Sequence, residues 1–267
     1  MCASMCGPGC TYFSVNLHVK KCRVYSGCQP LNFTDVQEGW RYYNPESEGN
    51  KRPLNCKALL ADGHTVSNVY TIYPPNNQWS VNVQCDMTTK GGGWTVIQRR
   101  VDGSTDFDRT WNEYKNGFGS VNSSYWLGND VIHLLTKHKP SMYVSITLTN
   151  GTTLYQQYEE FSITGETDKY RLYLNGSTTG TLGDSLLDTG ISSKDLSGMS
   201  FTTRDRDNDG WSGGNCAVLN RGGWWYNSCH RANLNGPWYP EYWDNPWSPT
   251  VVSSSEIKKT SMMIKHH

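Results

Sequence analysis

Asp205, Asp207 and Asp209 alternate along one short stretch that runs on through Gly210, Gly213 and Gly214 and closes on Asn215-Cys216. By composition this is a loop, and one dense in hard oxygen ligands. Calcium takes about six to eight such oxygens, from carboxylates and backbone carbonyls. The order D-x-D-x-D-G matches the first six positions of an EF-hand loop. The match fails at the twelfth position from Asp205, where a bidentate glutamate should stand and Cys216 stands instead. The flanks also lack the amphipathic patterns of paired helices. The stretch therefore reads as a calcium loop of another kind, pinned at its end by a cysteine. A solvated acidic turn is the competing reading, since turns select the same residues.

The cysteines support that pinning. Five of nine, Cys2, Cys6, Cys10, Cys22 and Cys28, crowd the first 28 residues. Cys56, Cys85, Cys216 and Cys229 are spread along the rest, a spacing that suggests local bridges Cys56–Cys85 and Cys216–Cys229. This usage favours an oxidising compartment. Four N-x-S/T sequons, at Asn32, Asn122, Asn150 and Asn175, agree with a secreted glycoprotein. Met1-Cys2-Ala3 opens into cysteines without a leader pattern, so the chain reads as mature or trimmed, and His266-His267 as the stub of a purification tag. Basic and acidic residues balance at 24 each with no basic block, which gives a nucleic-acid partner little electrostatic support. No apolar run approaches the roughly 18 residues of a membrane span.

Residues 1–52 read as a cysteine-rich head and polar linker, too short to bury a core without disulfides. Its odd cysteine count predicts either a bond to a second chain, giving a disulfide-linked homo-oligomer, or a partner lost with the natural N-terminus. From residue 53 to 265 the texture is one of short strands separated by glycine-rich turns. Gln78–Cys85, Trp94–Arg99, Met142–Leu148 and Lys169–Leu174 read as strands, with hairpin turns at Asn150-Gly151 and Asn175-Gly176. Helices are expected over Lys57–Asp62, Ser104–Phe118 and Gly128–His138. The class is α+β with an antiparallel sheet, few helices and an irregular last third. That last third carries Trp211, Trp224, Trp225, Tyr226, Trp238 and Trp247. Most of them read as packing, because a loop-rich region needs large side chains to exclude water; at least one reads as an exposed binding aromatic.

Several segments carry a family resemblance. Asn55-Cys56-Lys57-Ala58-Leu59-Leu60 opens it, and Cys85-Asp86-Met87 with Gly91-Gly92-Gly93-Trp94-Thr95-Val96-Ile97-Gln98-Arg99-Arg100 follows. Then come Tyr125-Trp126-Leu127-Gly128-Asn129-Asp130, Asn215-Cys216-Ala217, Gly222-Gly223-Trp224-Trp225-Tyr226 and Cys229-His230. Together they resemble a fibrinogen-related (fibrinogen C-terminal-like) domain from about Pro53 to Lys265. The resemblance implies a disulfide-bonded first subdomain, a central twisted antiparallel sheet, and an irregular C-terminal subdomain holding calcium and ligand. It implies the same two disulfides, and calcium held by the carboxylates of Asp207 and Asp209 with carbonyls near Trp211 and Gly213. The segment between Asp209 and Asn215 is one residue longer than is common in the family.

Lectin members such as ficolins and tachylectins hold acetylated sugars beside the second disulfide. Similarity to them places the ligand pocket at Ser228, Cys229 and His230, with a cis Ser228–Cys229 peptide aiming a backbone N–H into it. Asn220 stands where the pocket's first aromatic would fall, and Tyr239, Tyr242 and Trp243 are the candidates to replace that wall. The fibrinogen peptide-binding hole needs acidic groups to pair with a terminal amine, whereas this chain offers Leu219-Asn220 and serines near Ser254. The function expected is a secreted, calcium-dependent, lectin-like recognition protein of innate immunity, binding N-acetylated or other surface glycans. The alternative is an extracellular protein ligand or matrix protein of angiopoietin-like type, acting on protein receptors. No nucleophile motif or catalytic metal spacing points to an enzyme, although fold alone does not decide function.

Overall fold

The computed structural model describes residues 12–16, 21–25, 40–43, 52–75, 80–187, 192–238 and 244–267. The chain divides into two units, Met1–Arg52 and Pro53–His267. In the first, β1 (Tyr12–Asn16) pairs antiparallel with both β2 (Lys21–Tyr25) and β3 (Trp40–Tyr43). Cys2, Cys6, Cys10, Cys28 and Asn32 lie outside the described residues, as does the side chain of Cys22.

The second unit starts with α1 (Cys56–Ala61), capped by Asn55, whose side chain accepts from the Ala58 N–H at 3.0 Å. Asn supplies this bond because its short side-chain oxygen reaches an otherwise unsatisfied N–H of the first turn. There follow β4 (Asn68–Ile72), β5 (Val81–Asp86), β6 (Trp94–Arg100), α2 (Trp111–Asn116), β7 (Phe118–Gly119), β8 (Tyr125–Trp126) and α3 (Asn129–Thr136). The chain continues through β9 (Ser141–Leu148), β10 (Thr153–Ile163), β11 (Leu172–Gly180), α4 (Cys216–Asn220), β12 (Asp244–Trp247), β13 (Val251–Ser253) and β14 (Ile257–Lys265). Nine strands form one antiparallel sheet among the described residues. Its main path is β11-β10-β9-β14-β6-β5-β4, with β8 on β6 and β7 on β8. The last strand in sequence thus lies at the centre, between β9 and β6. Cys56 is joined to Cys85, tying α1 to β5.

Alternation divides the sheet into two faces. Met142, Val144 and Ile146 of β9 and Met262 and Ile264 of β14 are buried in the core. On that side an aromatic cluster closes over the sheet. Tyr114 of α2 packs edge-on against Phe118 and Trp126, and Phe201 packs edge-on against Trp225 at 5.2 Å. Trp224, Trp225, Tyr226 and Trp247 are all essentially buried, so for these four the packing reading holds. Trp211 is the exception at 37% exposed.

Three expectations need correction. The helix expected over Ser104–Phe118 begins only at Trp111. Before it, Asp102 and Asp106 accept the N–H of Ser104 (3.1 Å) and Asp108 (2.9 Å), local bonds that compete with helix. The helix starts where Glu113 accepts the Thr110 N–H at 2.8 Å, a capping arrangement. The strand expected from Lys169 begins at Leu172, because Lys169 and Tyr170 have φ of 58° and 50°. Asn175-Gly176 is not a turn either. It sits inside β11, where Gly176 and Ser177 oppose Glu159 as a β-bulge. Gly176 has φ of +79°, and a Cβ there would fall 2.5 Å from a Glu159 carboxylate oxygen. That carboxylate accepts the N–H and hydroxyl of Ser177 (2.9 and 2.6 Å), which fixes the bulge. Asn150-Gly151 does close its hairpin, between Leu148 and Thr153.

Candidate functional site

The irregular third is held to the sheet by a buried polar network that the sequence did not announce. Gln98 Nε2 donates to the Leu234 carbonyl (2.9 Å) and Asn235 Oδ1 (3.2 Å). Arg100, 1% exposed, donates to the carbonyls of Leu234 and Gly236 and stacks on Phe107 and Trp238. Burial lowers the pKa of its guanidinium to about 9. Asn235 Nδ2 reaches the Gly223 carbonyl and Asn233 Nδ2 reaches the Tyr226 hydroxyl. Buried polar groups must find partners. Here the partners are the backbone carbonyls of a segment without regular structure, so its path is specified residue by residue.

On this support lies the Asp loop. Asp209 accepts the N–H of Trp211 (2.8 Å) with one oxygen and that of Cys216 (2.7 Å) with the other. The Asp209 N–H in turn reaches Asp207 Oδ1 at 3.2 Å. Burial, with Asp207 adding to it, raises the Asp209 pKa, against the lowering effect of those two N–H donors. Asp205 points elsewhere. Its Oδ1 accepts the Trp111 N–H (2.9 Å) and the Thr203 hydroxyl (2.8 Å), so it holds the start of α2. Among the described residues no three His, Cys, Asp or Glu side chains are grouped to hold a metal. A cation here would rest on two carboxylates plus carbonyls. That set suits calcium, an oxygen-seeking ion, and would offset the like charges of Asp207 and Asp209. Trp211 folds over Gly213, where a Cβ would meet the indole nitrogen at 2.6 Å, so its ring and the proposed ligand carbonyls share one loop.

The loop leads directly into a cleft. Cys216, the first residue of α4, is joined to Cys229, and the Gly210 N–H reaches the Asn227 carbonyl at 3.1 Å. The Ser228–Cys229 peptide is cis. Around it run two backbone bonds, Asn227 N–H to the Cys229 carbonyl (2.8 Å) and Ser228 N–H to the Ser193 carbonyl (3.1 Å), and one from a side chain, the Lys194 ammonium to the Ser228 carbonyl. The cleft, about 280 Å³, is lined by Ser228, Cys229, His230 and Asn220, and by Trp211, Leu219, Lys194 and Asn245. Leu219 and its neighbour Val218 are 65% and 57% exposed.

Sequence reasoning placed Asn220 and His230 in one pocket without anticipating their bond. Asn220 Nδ2 donates to the Cys216 carbonyl at 2.8 Å, which turns its Oδ1 toward His230 Nε2 at 3.0 Å. The imidazole must then carry its proton on Nε2. Its Nδ1 is buried without a hydrogen-bond partner. Burial, with Lys194 nearby, lowers the His230 pKa to about 4, so the ring is neutral. Asn220 thus acts as a clamp on the histidine, where an aromatic wall was the family expectation. Lys194 and Asn245 were missed as cleft residues; nothing local in the sequence marks them. Tyr239, Tyr242 and Trp243 lie outside the described residues. The sequon residues Asn122, Asn150 and Asn175 are exposed.

The family model for fibrinogen beta and gamma chains, C-terminal globular domain, matches residues 52–267. The chain belongs to that family. Human fibroleukin is 46% identical over 176 residues, covering 65% of this chain and 39% of fibroleukin, and bovine fibroleukin gives the same figures. The chain therefore spans well under half the length of these relatives. The fibrinogen-like globe of human ANGPTL2 superposes with a TM-score of 0.73 at 38% identity, covering 80% of this chain and 99% of that globe. A lamprey fibrin D-dimer complexed with the peptide Gly-His-Arg-Pro-amide gives 0.71 at 31% identity, over 80% of this chain and 73% of that one. The matched region includes His266, whose Nε2 lies 2.8 Å from the Leu135 carbonyl at the end of α3. These similarities run to fibroleukin, angiopoietin-like and fibrin globes. Among the described residues no helix is long and apolar enough to cross a membrane.

Proposed function

We propose that this chain is a secreted recognition domain that takes a segment of a protein ligand in the cleft beside Cys216–Cys229, steadied by calcium at Asp207 and Asp209. The observation that carries this reading is the cleft itself. Leu219 and Trp211 line it with exposed apolar surface, and Ser228 and Cys229 beside the disulfide bring main-chain groups to it. A peptide segment uses both, burying side chains against the first and pairing main-chain groups with the second. The kinship with fibroleukin and angiopoietin-like globes agrees with a protein-ligand role. Calcium acts by ordering the loop from Asp207 to Cys216, which shares the disulfide and the Gly210–Asn227 bond with the cleft.

A peptide library displayed against the full chain tests this reading, with Leu219→Arg and Trp211→Ala as counter-targets. Peptides enriched on the parent chain in calcium should be lost on both variants and weakened in chelator. Equal enrichment on all three targets would refute it. A second reading, a calcium-dependent lectin for N-acetylated glycans of microbial surfaces, is favoured by one observation, a neutral His230 beside the Cys216–Cys229 disulfide inside a small cleft. Calorimetric titration of N-acetylglucosamine with and without calcium decides it, and absence of heat in both conditions removes it.

A further inference from the structure

The face of the sheet turned away from the aromatic core collects cations that the sequence keeps far apart. Two adjoining grooves, about 390 and 400 Å³, lie along it. They share one face, because Met263 and Lys265 alternate on β14 and Ser141, Tyr143 and Ser145 alternate on β9. Trp94 of one groove also touches Tyr143 of the other, with ring centroids 5.4 Å apart. Arg99 and Lys259 stand in the first groove among the hydroxyls of Ser145, Thr147, Thr153 and Ser261. Lys57, Lys90 and Lys265 stand in the second. None of these five cations makes an ion pair among the described residues. Arg99 donates only to the Asn122 carbonyl at 3.4 Å, and Lys265 to that of Lys90 at 3.4 Å.

The acids nearby are already engaged. Asp86 accepts four bonds from the backbone and hydroxyls of Thr88 and Thr89, and Glu159, close to His267, is held by Ser177. Lys259 feels the crowding, since partial burial and then Arg99 lower its pKa. The floor suits a sugar. Tyr143 lines the first groove with the hydroxyls of Ser145, Thr147, Thr153 and Ser261, and the Tyr155 ring stacked on it at 5.2 Å has the Lys90 ammonium 4.4 Å away. No exposed large apolar side chain lines either groove, as a surface inserting into a lipid bilayer would require. Because the chain as a whole is formally neutral, the positive field belongs to this face and not to the net charge.

We infer that this sheet face is a second binding site, distinct from the cleft, for a sulfated polysaccharide. Its sulfates pair with Arg99 and Lys259 in one groove and with Lys57, Lys90 and Lys265 in the other, and the sugar rings lie over the hydroxyl and tyrosine floor. Cations that neutralise a polyanion release its condensed counterions, so binding should weaken steeply with added salt.

The test is calorimetric titration of the full chain with heparin and with chemically desulfated heparin at about 0.15 M salt. Heparin should bind and the desulfated polymer should not. Arg99→Gln/Lys259→Gln should lose at least about tenfold in affinity and flatten the salt dependence, while Lys169→Glu, an equal charge change on an exposed residue beside Phe201 of the aromatic core, stays within about twofold. Lys90→Gln/Lys265→Gln tests the other groove independently should the first variant fail to fold. No heparin binding by the parent chain would overturn the inference, as would undiminished binding by both double variants. Binding to phosphatidylserine vesicles without binding to heparin would assign the face to a lipid surface instead.

Discussion

His230 offers the sharpest test of the cleft geometry, because its protonation state follows from one amide. Asn220 gives its Nδ2 to the Cys216 carbonyl and its Oδ1 to His230 Nε2, so the ring is a neutral donor there and Nδ1 lies buried without a partner. Protonating Nδ1 would place an unpaired donor and a charge in a site where Lys194 already supplies one. The folded pKa is accordingly about 4, against 6.5 for the ordinary group. The folded value lies below the unfolded one, so the unfolded chain takes up the proton first. Stabilisation is complete above 6.5 and is lost as pH falls through about 4. At 1.36 kcal/mol per unit the whole effect is about 3 kcal/mol, of which about 2 kcal/mol is gone by about pH 5. Urea unfolding at a series of pH values measures it. His266 shifts in the same direction, so the contribution of His230 is taken by difference against His230→Gln. Glutamine keeps an N–H near Nε2 and cannot titrate. The parent chain should lose about 2 kcal/mol more than His230→Gln between neutrality and about pH 5. Superimposable pH profiles would refute the assigned tautomer and burial.

Calcium at a hundredfold excess over its dissociation constant should stabilise the chain by about 2.7 kcal/mol, and Asp207→Ala should abolish the gain; equal melting temperatures in calcium and chelator would exclude the site. Asp205→Ala should instead cost about 1–2 kcal/mol in either condition, as the Trp111 N–H loses its acceptor at the start of α2, so calcium should shift this variant as much as the parent chain in differential scanning fluorimetry. Cys216→Ser/Cys229→Ser should lower stability by about 3 kcal/mol, as expected for a short closed loop, read from urea midpoints under non-reducing conditions. Gly-His-Arg-Pro-amide should not bind, since the described cleft residues include Lys194 and no carboxylate to meet a cationic terminus; saturable heat on titration would contradict that charge assignment.

Elements whose determinants are local were legible in the chain. The hairpin at Asn150-Gly151 is written in two residues, and β9 in strict alternation from Met142 to Leu148. The Asp loop and its cysteine were legible because the acidic and turn residues fall within twelve consecutive positions, Asp205 to Cys216. Where local patterns misled, a distant or competing partner explains it. Asp102 and Asp106 drew backbone N–H groups away from the expected long helix. Asn175-Gly176 looked like a turn but became a bulge, because the Glu159 carboxylate across the strand pair captures Ser177.

The sequence by itself determined the antiparallel class and the bridges expected at Cys56–Cys85 and Cys216–Cys229, which depend on composition and short-range spacing. The meeting of Asn220 with His230 in one pocket came from the family resemblance, carried by motifs held in order. Only the tertiary structure decided that Asp205 serves α2 while Asp207 accepts the Asp209 N–H, that Trp224 and Trp225 are core while Trp211 is exposed, and that Lys194 joins the cleft. It also brought Lys57, Lys90, Arg99, Lys259 and Lys265 onto one sheet face. The physical reason is the sheet order: β14, last in sequence, is inserted between β6 and β9, so neighbours in space come from opposite ends of the chain. Electrostatic and packing energies depend on such distances in space, and no local window of sequence contains them.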